Sequence, residues 1–271
     1  MTEEKKSPEE RLAEIRAVLD VDDKIIGQFA ANNRKRYLGF VDMLGFSRLV
    51  KADHAEAVRR YERLITTSNA LRSQAVKVAK KYNPEVTHPD VQYWSDSVVI
   101  IGDDLAGVAR AVQDVQTGAL IGAEMISRGC ISFGEHTQIP PSGTAGAYVV
   151  SQALAGAVAG EGRAYYPRVI IDDQIPDLVA EAKALSKKGS DLIFPCDDGI
   201  QMVHPFIFVG VEESAIYEVA IRDLVYKQRK DVSLPKYEWL YSQISRIESF
   251  FEEMAQSIAE SYHDHHENDY E

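Results

Sequence analysis

The chain has 271 residues, 45% of them hydrophobic, which is enough apolar material for the core of one large domain. Its net charge of −12 argues against sequence-independent binding of DNA or RNA, so we expect no nucleic acid partner. No apolar run reaches membrane-spanning length, the charged start MTEEKKSPEERL is unlike a signal peptide, and the two distant cysteines form no disulfide framework. These features predict a cytoplasmic protein without a membrane partner.

The first predicted element is a helix over 8–30. Ser7 is a suitable cap, Pro8 suits the first helical position, and Glu10 suits the third. The polar segment NNRKR then breaks the helix. Residues 1–33 are therefore expected to form an N-terminal helical extension.

Strands and helices alternate through the middle of the chain. Apolar, β-rich runs predict strands over 37–43, 91–94, 97–101, 130–134 and 166–171. Helical periodicity predicts helices over 54–82, 105–127, 151–159 and 235–262. The segment PPSGTAG is a predicted loop, and 263–271 is an acidic, histidine-containing tail.

The order of these elements is strand, helix, hairpin, helix, strand. It predicts an α+β fold with a ferredoxin-like sheet whose helices cover one face. The economical arrangement is a single domain over 34–262 that includes the C-terminal helices.

Two aspartates stand out in the predicted sheet. Asp42 lies inside an apolar strand, where an unpaired carboxylate costs several kcal/mol, and Asp96 lies at the tip of the predicted hairpin. The first strand and the hairpin are neighbours in a ferredoxin-like sheet, so both acids can converge on one divalent cation. Spacing alone leaves two alternatives open, an ordinary turn residue at Asp96 and a satisfied core acid at Asp42.

Several motifs resemble those of a known enzyme family. FVDMLGFS and WSDSVVI resemble the two metal-binding signatures of class III nucleotide cyclases. Their residues are most similar to those of the cyclases of Pycsar antiphage systems, which make cyclic UMP or cyclic CMP. RGCISFGE, YYPRVII and PKYEWL extend the likeness over 36–240. The resemblance implies that 34–262 is a ferredoxin-like class III cyclase catalytic domain.

The resemblance also implies roles for individual residues. Asp42, Asp96 and the backbone carbonyl of Met43 would hold two Mg²⁺ or Mn²⁺ ions at a composite site shared by two chains of a homodimer. The turn at Gly45, between Leu44 and Phe46, would bring backbone N–H groups to the phosphates.

Other positions depart from the adenylate cyclase pattern. The adenine-selecting Lys and Asp are replaced by Gln92 and Tyr148, which favours another base, although both side chains can simply pack. The transition-state Asn and Arg are replaced by Ala155 and Ala159.

The segment from Ser151 to Glu161 matches the corresponding G-x-A-x-x-x-A-x-x-L-E pattern of the Pycsar cyclases only in part, through Ala153, Ala157 and Glu161. Some other cation must therefore meet the phosphate charge. Arg128 is the expected catalytic cation, with Arg163 as a second candidate, and either can instead be a surface ion-pair residue.

The sequence thus predicts a homodimeric lyase that converts UTP to 3′,5′-cyclic UMP, an antiphage second messenger, and pyrophosphate. A cytidylate cyclase and a catalytically silent nucleotide-binding module remain alternatives. An adenylate or guanylate cyclase is disfavoured because the adenine-selecting pair is absent.

Overall fold

The computed structural model describes residues 32–82, 88–139, 148–178, 192–205, 211–227 and 234–243, together with positions 7, 9 and 180. Nearly all of the predicted N-terminal helix, the PPSGTAG loop, the C-terminal helix beyond 243 and the tail lie outside the described residues. Among the described helices, none is both long and apolar enough to span a membrane.

The described residues form one sheet with helices around it. The strands are β1 (Arg34–Met43), β2 (Asp90–Trp94), β3 (Ser97–Gly102), β4 (Ser127–Ile139), β5 (Tyr148–Ser151), β6 (Val169–Ile171), β7 (Ile193–Pro195) and β8 (Gln201–Val203). The helices are α1 (Phe46–Ala52), α2 (His54–Tyr82), α3 (Leu105–Thr117), α4 (Gln152–Ala164), α5 (Val211–Lys227) and α6 (234–243).

The strand order confirms the predicted ferredoxin-like α+β fold. The sheet runs β2-β3-β1-β4-β6-β8-β7, and β5 pairs with β4 outside this path. The central strand β1 is antiparallel to both β3 and β4, and β2 forms a hairpin with β3. The unit β1-α2-β2-β3-α3-β4 with strand order 2-3-1-4 is the ferredoxin-like arrangement. The strands β6 to β8 extend it beyond β4.

The two faces of the sheet are covered differently. Val41, Ile100 and Ile131 lie on the face that forms the main core with α2 and α3. On the other face, Leu38 and Val99 pack against small side chains of α4, so helices cover both faces and the prediction of helices on one face alone is wrong. Side chains alternate along a strand, so Asp42 lies on the α4 face together with Leu38.

Helix α4 packs closely on its own sheet. Its N-cap Ser151 accepts a hydrogen bond from the Leu154 N–H over 3.0 Å. A Cβ atom added at Gly156 or Gly160 would collide with the side chains of Ser132 or Cys130 on β4. The small residues of α4 thus allow the helix to lie close to β4 of the same chain.

Several element boundaries differ from the sequence prediction, and β1 and α4 are longer than predicted, with β1 beginning at Arg34 and α4 ending at Ala164. The helix predicted over 105–127 ends at Thr117, a π-helical turn (Gly118–Gly122) follows, and β4 already begins at Ser127. The π turn is pressed on α2, where a Cβ at Gly118 would meet Ser68. The strand predicted over 166–171 begins only at Val169, and the four-residue strand β5 was not predicted.

Candidate active site

Asp42 is the penultimate residue of the central strand. It pairs with Ser97 on β3 and with Arg128 on β4. Its side chain is 24% exposed, so the carboxylate lies at the edge of the α4 face and not in the closed core. The predicted core acid is therefore reachable from solvent.

Asp96 lies in the turn between β2 and β3, next to the end of β1. The Met43 N–H donates to the Asp96 carbonyl over 2.7 Å, which ties the strand end to the hairpin tip. The Ser47 hydroxyl donates to Asp96 Oδ2 over 2.6 Å from the first turn of α1. The preceding Ser95 has a φ of 52°, which closes the tight turn. The structure thus brings the two predicted aspartates to one edge of the sheet.

The electrostatics at Asp42 reflect a concentration of negative charge. Burial, followed by the carboxylates of Glu161 and Asp96, raises the pKa of Asp42 from 3.8 to about 6. The cationic groups of Arg128 and Lys236 act in the opposite direction. Acidic groups gathered in this way favour a bound cation, because it removes their mutual repulsion.

Arg128 links Asp42 to α4. Its Nε lies 4.0 Å from Asp42 Oδ2 and forms an ion pair with Glu161 near the end of α4. The other predicted cation, Arg163, pairs with Asp172 at 3.3 Å and with Asp173 after β6. Of the two candidates, only Arg128 is shown beside Asp42.

Lys236 on α6 is a further cation that acts on Asp42, and the sequence motifs assigned it no role. Its pKa is lowered by burial and by Arg128, while Glu161 and Asp42 act to raise it. The sequence signal for Lys236 is the PKYEWL motif, which contains it and which resembles the cyclase family without indicating a role for the lysine. Glu161 was noted for its place in a pattern and not for its contact with Arg128.

The turn between β1 and α1 holds the predicted phosphate-binding residues. Gly45 has a φ of 82°, the left-handed conformation that favours glycine, and stands at the N-cap of α1. The Leu44 N–H donates to the Ile126 carbonyl over 2.9 Å. The Phe46 side chain is buried and its ring lies 5.6 Å from that of Tyr61. A ligand would therefore meet Phe46 through its backbone.

The predicted base-selecting residues are placed apart from each other. Gln92 lies on β2 opposite Val99, and its Nε2 donates to Asp90 Oδ2 over 2.7 Å. Tyr148 opens β5 opposite Ile139, eleven positions along β4 from Arg128. At about 3.3 Å per residue this is roughly 36 Å along a straight strand. One chain does not bring Tyr148 to the aspartates.

The oxygen atoms of Asp42, Asp96 and the Met43 carbonyl are ligands suited to a hard divalent cation, but they are few. Within the described ranges, no group of three or more His, Cys, Asp or Glu side chains is arranged to hold a metal ion. Two carboxylates and the Met43 carbonyl are oxygen donors of the kind that Mg²⁺ and Mn²⁺ accept, and such ions keep several waters or substrate phosphates as further ligands. The carboxylates of Glu161 and Asp96 near Asp42 add negative charge that a bound cation would offset.

Among known proteins, the chain shows similarity to solved structures only. No family model and no curated protein matches the sequence. The chain is similar to the adenylyl cyclase CyaB from P. aeruginosa, with 16% identity over 64% of this chain and 95% of that chain and a TM-score of 0.40.

Two further structures are similar to a comparable degree. One is a bacterial light-regulated adenylyl cyclase, with 14% identity over 71% of this chain and 98% of that chain and a TM-score of 0.43. The other is a dimeric guanylyl cyclase domain of the RhoGC fusion protein from the aquatic fungus Blastocladiella emersonii, with 14% identity over 63% of this chain and 95% of that chain and a TM-score of 0.36. Because these identities and TM-scores are low, the fold is argued from the strand order of this chain, and its function from the geometry of its site.

Proposed function

We propose that the chain is a nucleotide cyclase that converts UTP to 3′,5′-cyclic UMP and pyrophosphate. The observation that carries this proposal is the convergence of Asp42 and Asp96, joined by the hydrogen bond from Met43. The resemblance of FVDMLGFS and WSDSVVI to cyclase metal signatures gives that convergence its chemistry. The catalytic domain would span 34–262, and the product would act as an antiphage second messenger.

The reaction is a displacement at phosphorus. The ribose 3′-oxygen forms a bond to the α-phosphorus, the bond from that phosphorus to the β-bridging oxygen breaks, and the hydroxyl proton passes to solvent as pyrophosphate leaves. Asp42, Asp96 and the Met43 carbonyl would hold two Mg²⁺ or Mn²⁺ ions. Such ions, when bound, acidify the attacking hydroxyl and neutralise the triphosphate.

The remaining charged and backbone groups of the chain orient the phosphates. Arg128, held by Glu161 and 4.0 Å from Asp42, is placed to meet charge that develops on the α-phosphate. Gly45 has no side chain to come between the backbone and a phosphate, and its φ of 82° is a conformation that other residues rarely adopt.

A homodimer would complete the site. If Tyr148 contacts the base, its distance from the aspartates means that a second chain supplies this part of the pocket. Trp94 and Asp42 both pair with Ser97 and so share one face of the sheet, and Trp94 is 48% exposed. Val158, on the outer side of α4, is 46% exposed. Exposed apolar side chains on the face that carries Asp42 support a dimer formed through that face.

The choice of base rests on fewer observations. Gln92 and Tyr148 carry no charge where adenylate cyclases carry a Lys and an Asp, so adenine would lose about 1–3 kcal/mol for each unpaired polar group. Neither residue supplies a carboxylate for the amino group of cytosine, which favours UTP over CTP. A cytidylate cyclase that makes cyclic CMP is the nearest variant.

One observation favours a second candidate, a silent nucleotide-binding module. Ala155 and Ala159 are exposed on α4 at the positions where adenylate cyclases carry the transition-state Asn and Arg. A chain that has lost those groups can still bind nucleotide and dimerise.

The test is to incubate the purified protein with Mn²⁺ and each of the four nucleoside triphosphates, identify the products by mass and compare kcat/KM. We expect cyclic UMP as the main product. If ATP or GTP is the best substrate, the proposed selection against purines is wrong. If CTP is a better substrate than UTP, only the proposed preference for UTP is wrong. Nucleotide binding without any cyclic product would establish the silent module.

A further inference from the structure

Helix α6 is held beside the site by apolar contacts with the turn after β1. Tyr237 and Leu240 are buried in one cluster with Ile126, and Leu44 packs against the same cluster. Lys236 immediately precedes Tyr237 and is half-buried. The helix that carries Lys236 is thus packed against the turn that follows Asp42.

A second set of contacts fixes α6 without any help from Lys236. The ring of Trp239 stacks on that of Tyr166, with centroids 4.8 Å apart and an interplanar angle of 10°. The Arg168 guanidinium lies 5.8 Å from the Trp239 ring and donates two hydrogen bonds to Asp198, of 3.1 and 2.6 Å. A change at Lys236 is therefore expected to leave the helix docked.

The Lys236 ammonium belongs to the same cluster of charges as Asp42. Asp42, Glu161 and Arg128 all act on it electrostatically. Arg128 already has a carboxylate partner in Glu161. Lys236 is thus a second cation, besides Arg128, in the electrostatic surroundings of Asp42.

The charge balance changes when the proposed site is loaded. Divalent cations would neutralise Asp42 and Asp96, and Arg128 is matched by Glu161. The two carboxylates that act on Lys236 are then engaged elsewhere, Glu161 with Arg128 and Asp42 with the metal ions, so the charge of Lys236 remains near the site. An ammonium group in that position attracts an anion.

We propose that Lys236 binds the β- and γ-phosphates of the nucleotide, the part that leaves as pyrophosphate. The proposal rests on the proposed cyclase function and names a residue of the same chain as the two aspartates. Negative charge grows on the departing group as the bond from the α-phosphorus to the β-bridging oxygen breaks. A compact ammonium on a flexible stem suits a group that must bind, take up charge and leave.

The test measures binding of inorganic pyrophosphate by calorimetry in excess Mn²⁺, apart from any activity. Lys236→Gln is expected to weaken binding by about tenfold or more, which corresponds to about 1.4 kcal/mol. Lys236→Arg keeps the charge and should stay within about threefold of wild type. The control Lys77→Gln removes an exposed lysine from α2, on the other face of the sheet, and should change nothing.

Two results would overturn this role. One is pyrophosphate affinity within about twofold of wild type in Lys236→Gln. The other is restored affinity in Lys236→Met, because that variant keeps the aliphatic stem without the charge and would show that packing accounts for the loss.

The same titration separates this role from the cyclase proposal. If Lys236→Gln loses pyrophosphate and wild type makes no cyclic nucleotide, the binding role stands and the cyclase function is wrong. If wild type makes cyclic nucleotide and Lys236→Gln binds pyrophosphate normally, the function stands and the role of Lys236 is wrong. Wild type that binds no pyrophosphate contradicts the role outright.

Discussion

The Ser47 hydroxyl donates a hydrogen bond to Asp96 Oδ2 over 2.6 Å and so connects the first turn of α1 to the tip of the β2-β3 hairpin. Asp96 also accepts the Met43 N–H through its carbonyl. These two bonds orient the second aspartate towards the end of the strand that carries the first.

Ser47→Ala is expected to lower kcat/KM by about two- to tenfold, the range that corresponds to one hydrogen bond of about 0.5–1.5 kcal/mol. The loss should appear as a higher Mn²⁺ concentration for half-maximal rate, because Asp96 would be less well oriented. Ser47→Thr keeps the hydroxyl and serves as the control. Unchanged Mn²⁺ dependence in Ser47→Ala would show that this bond does not position Asp96.

A second prediction concerns stability and pH. Asp114 on α3 is 3% exposed, and burial raises its pKa from 3.8 to about 6 despite the nearby Arg110. The folded protein therefore binds a proton that the unfolded chain has released, so the free energy of unfolding falls as pH rises from about 4 to about 6. A shift of two units corresponds to at most about 3 kcal/mol.

Asp114→Asn mimics the protonated acid and should raise the free energy of unfolding at pH 7.5 by about 1–3 kcal/mol. The difference should vanish near pH 4. Urea denaturation at the two pH values measures it, with the exposed Asp223→Asn on α5 as the control. A variant that is less stable at both pH values would mean that the ion pair with Arg110 outweighs the cost of burial.

The packing of α4 on the sheet gives a third prediction with a control in the same helix. A Cβ at Gly160 collides with Cys130, whereas a Cβ at Gly162 meets nothing within 4 Å. Gly160→Ala should lower the free energy of unfolding by about 1–3 kcal/mol. Gly162→Ala should raise it by up to about 1 kcal/mol, because alanine favours the helix. Equal melting temperatures for the two variants would contradict the close packing.

The sequence predicted the ferredoxin-like order and the meeting of Asp42 and Asp96 because both follow from local pattern. Strand alternation and a hairpin turn decide where those side chains lie. The PKYEWL motif contains Lys236, but the motif could not show that this residue acts on Asp42, because α6 is docked by contacts between distant segments such as the stacking of Trp239 on Tyr166. The early end of α3 depends likewise on how closely Gly118 approaches α2.

A fourth prediction follows from the separation of Tyr148 and Asp42. If each site draws its metal ligands from one chain and its base pocket from another, a mixture of Asp42→Ala and Tyr148→Ala chains contains heterodimers with one intact site. The mixture should then be several-fold more active than either variant alone. Light scattering should show a dimer in the presence of nucleotide and Mn²⁺. A mixture with no more activity than its components, from a protein that stays monomeric, would exclude the composite site.

The most direct test of the account compares turnover in Asp42→Ala, in Asp96→Ala and in the double variant, each checked for folding by its melting temperature. Two acids that hold the same ions act as a unit, so each single change should lower the rate by orders of magnitude and the double change should lower it little further. Either single variant within about tenfold of wild type, a difference of about 1.4 kcal/mol, would contradict a shared metal site.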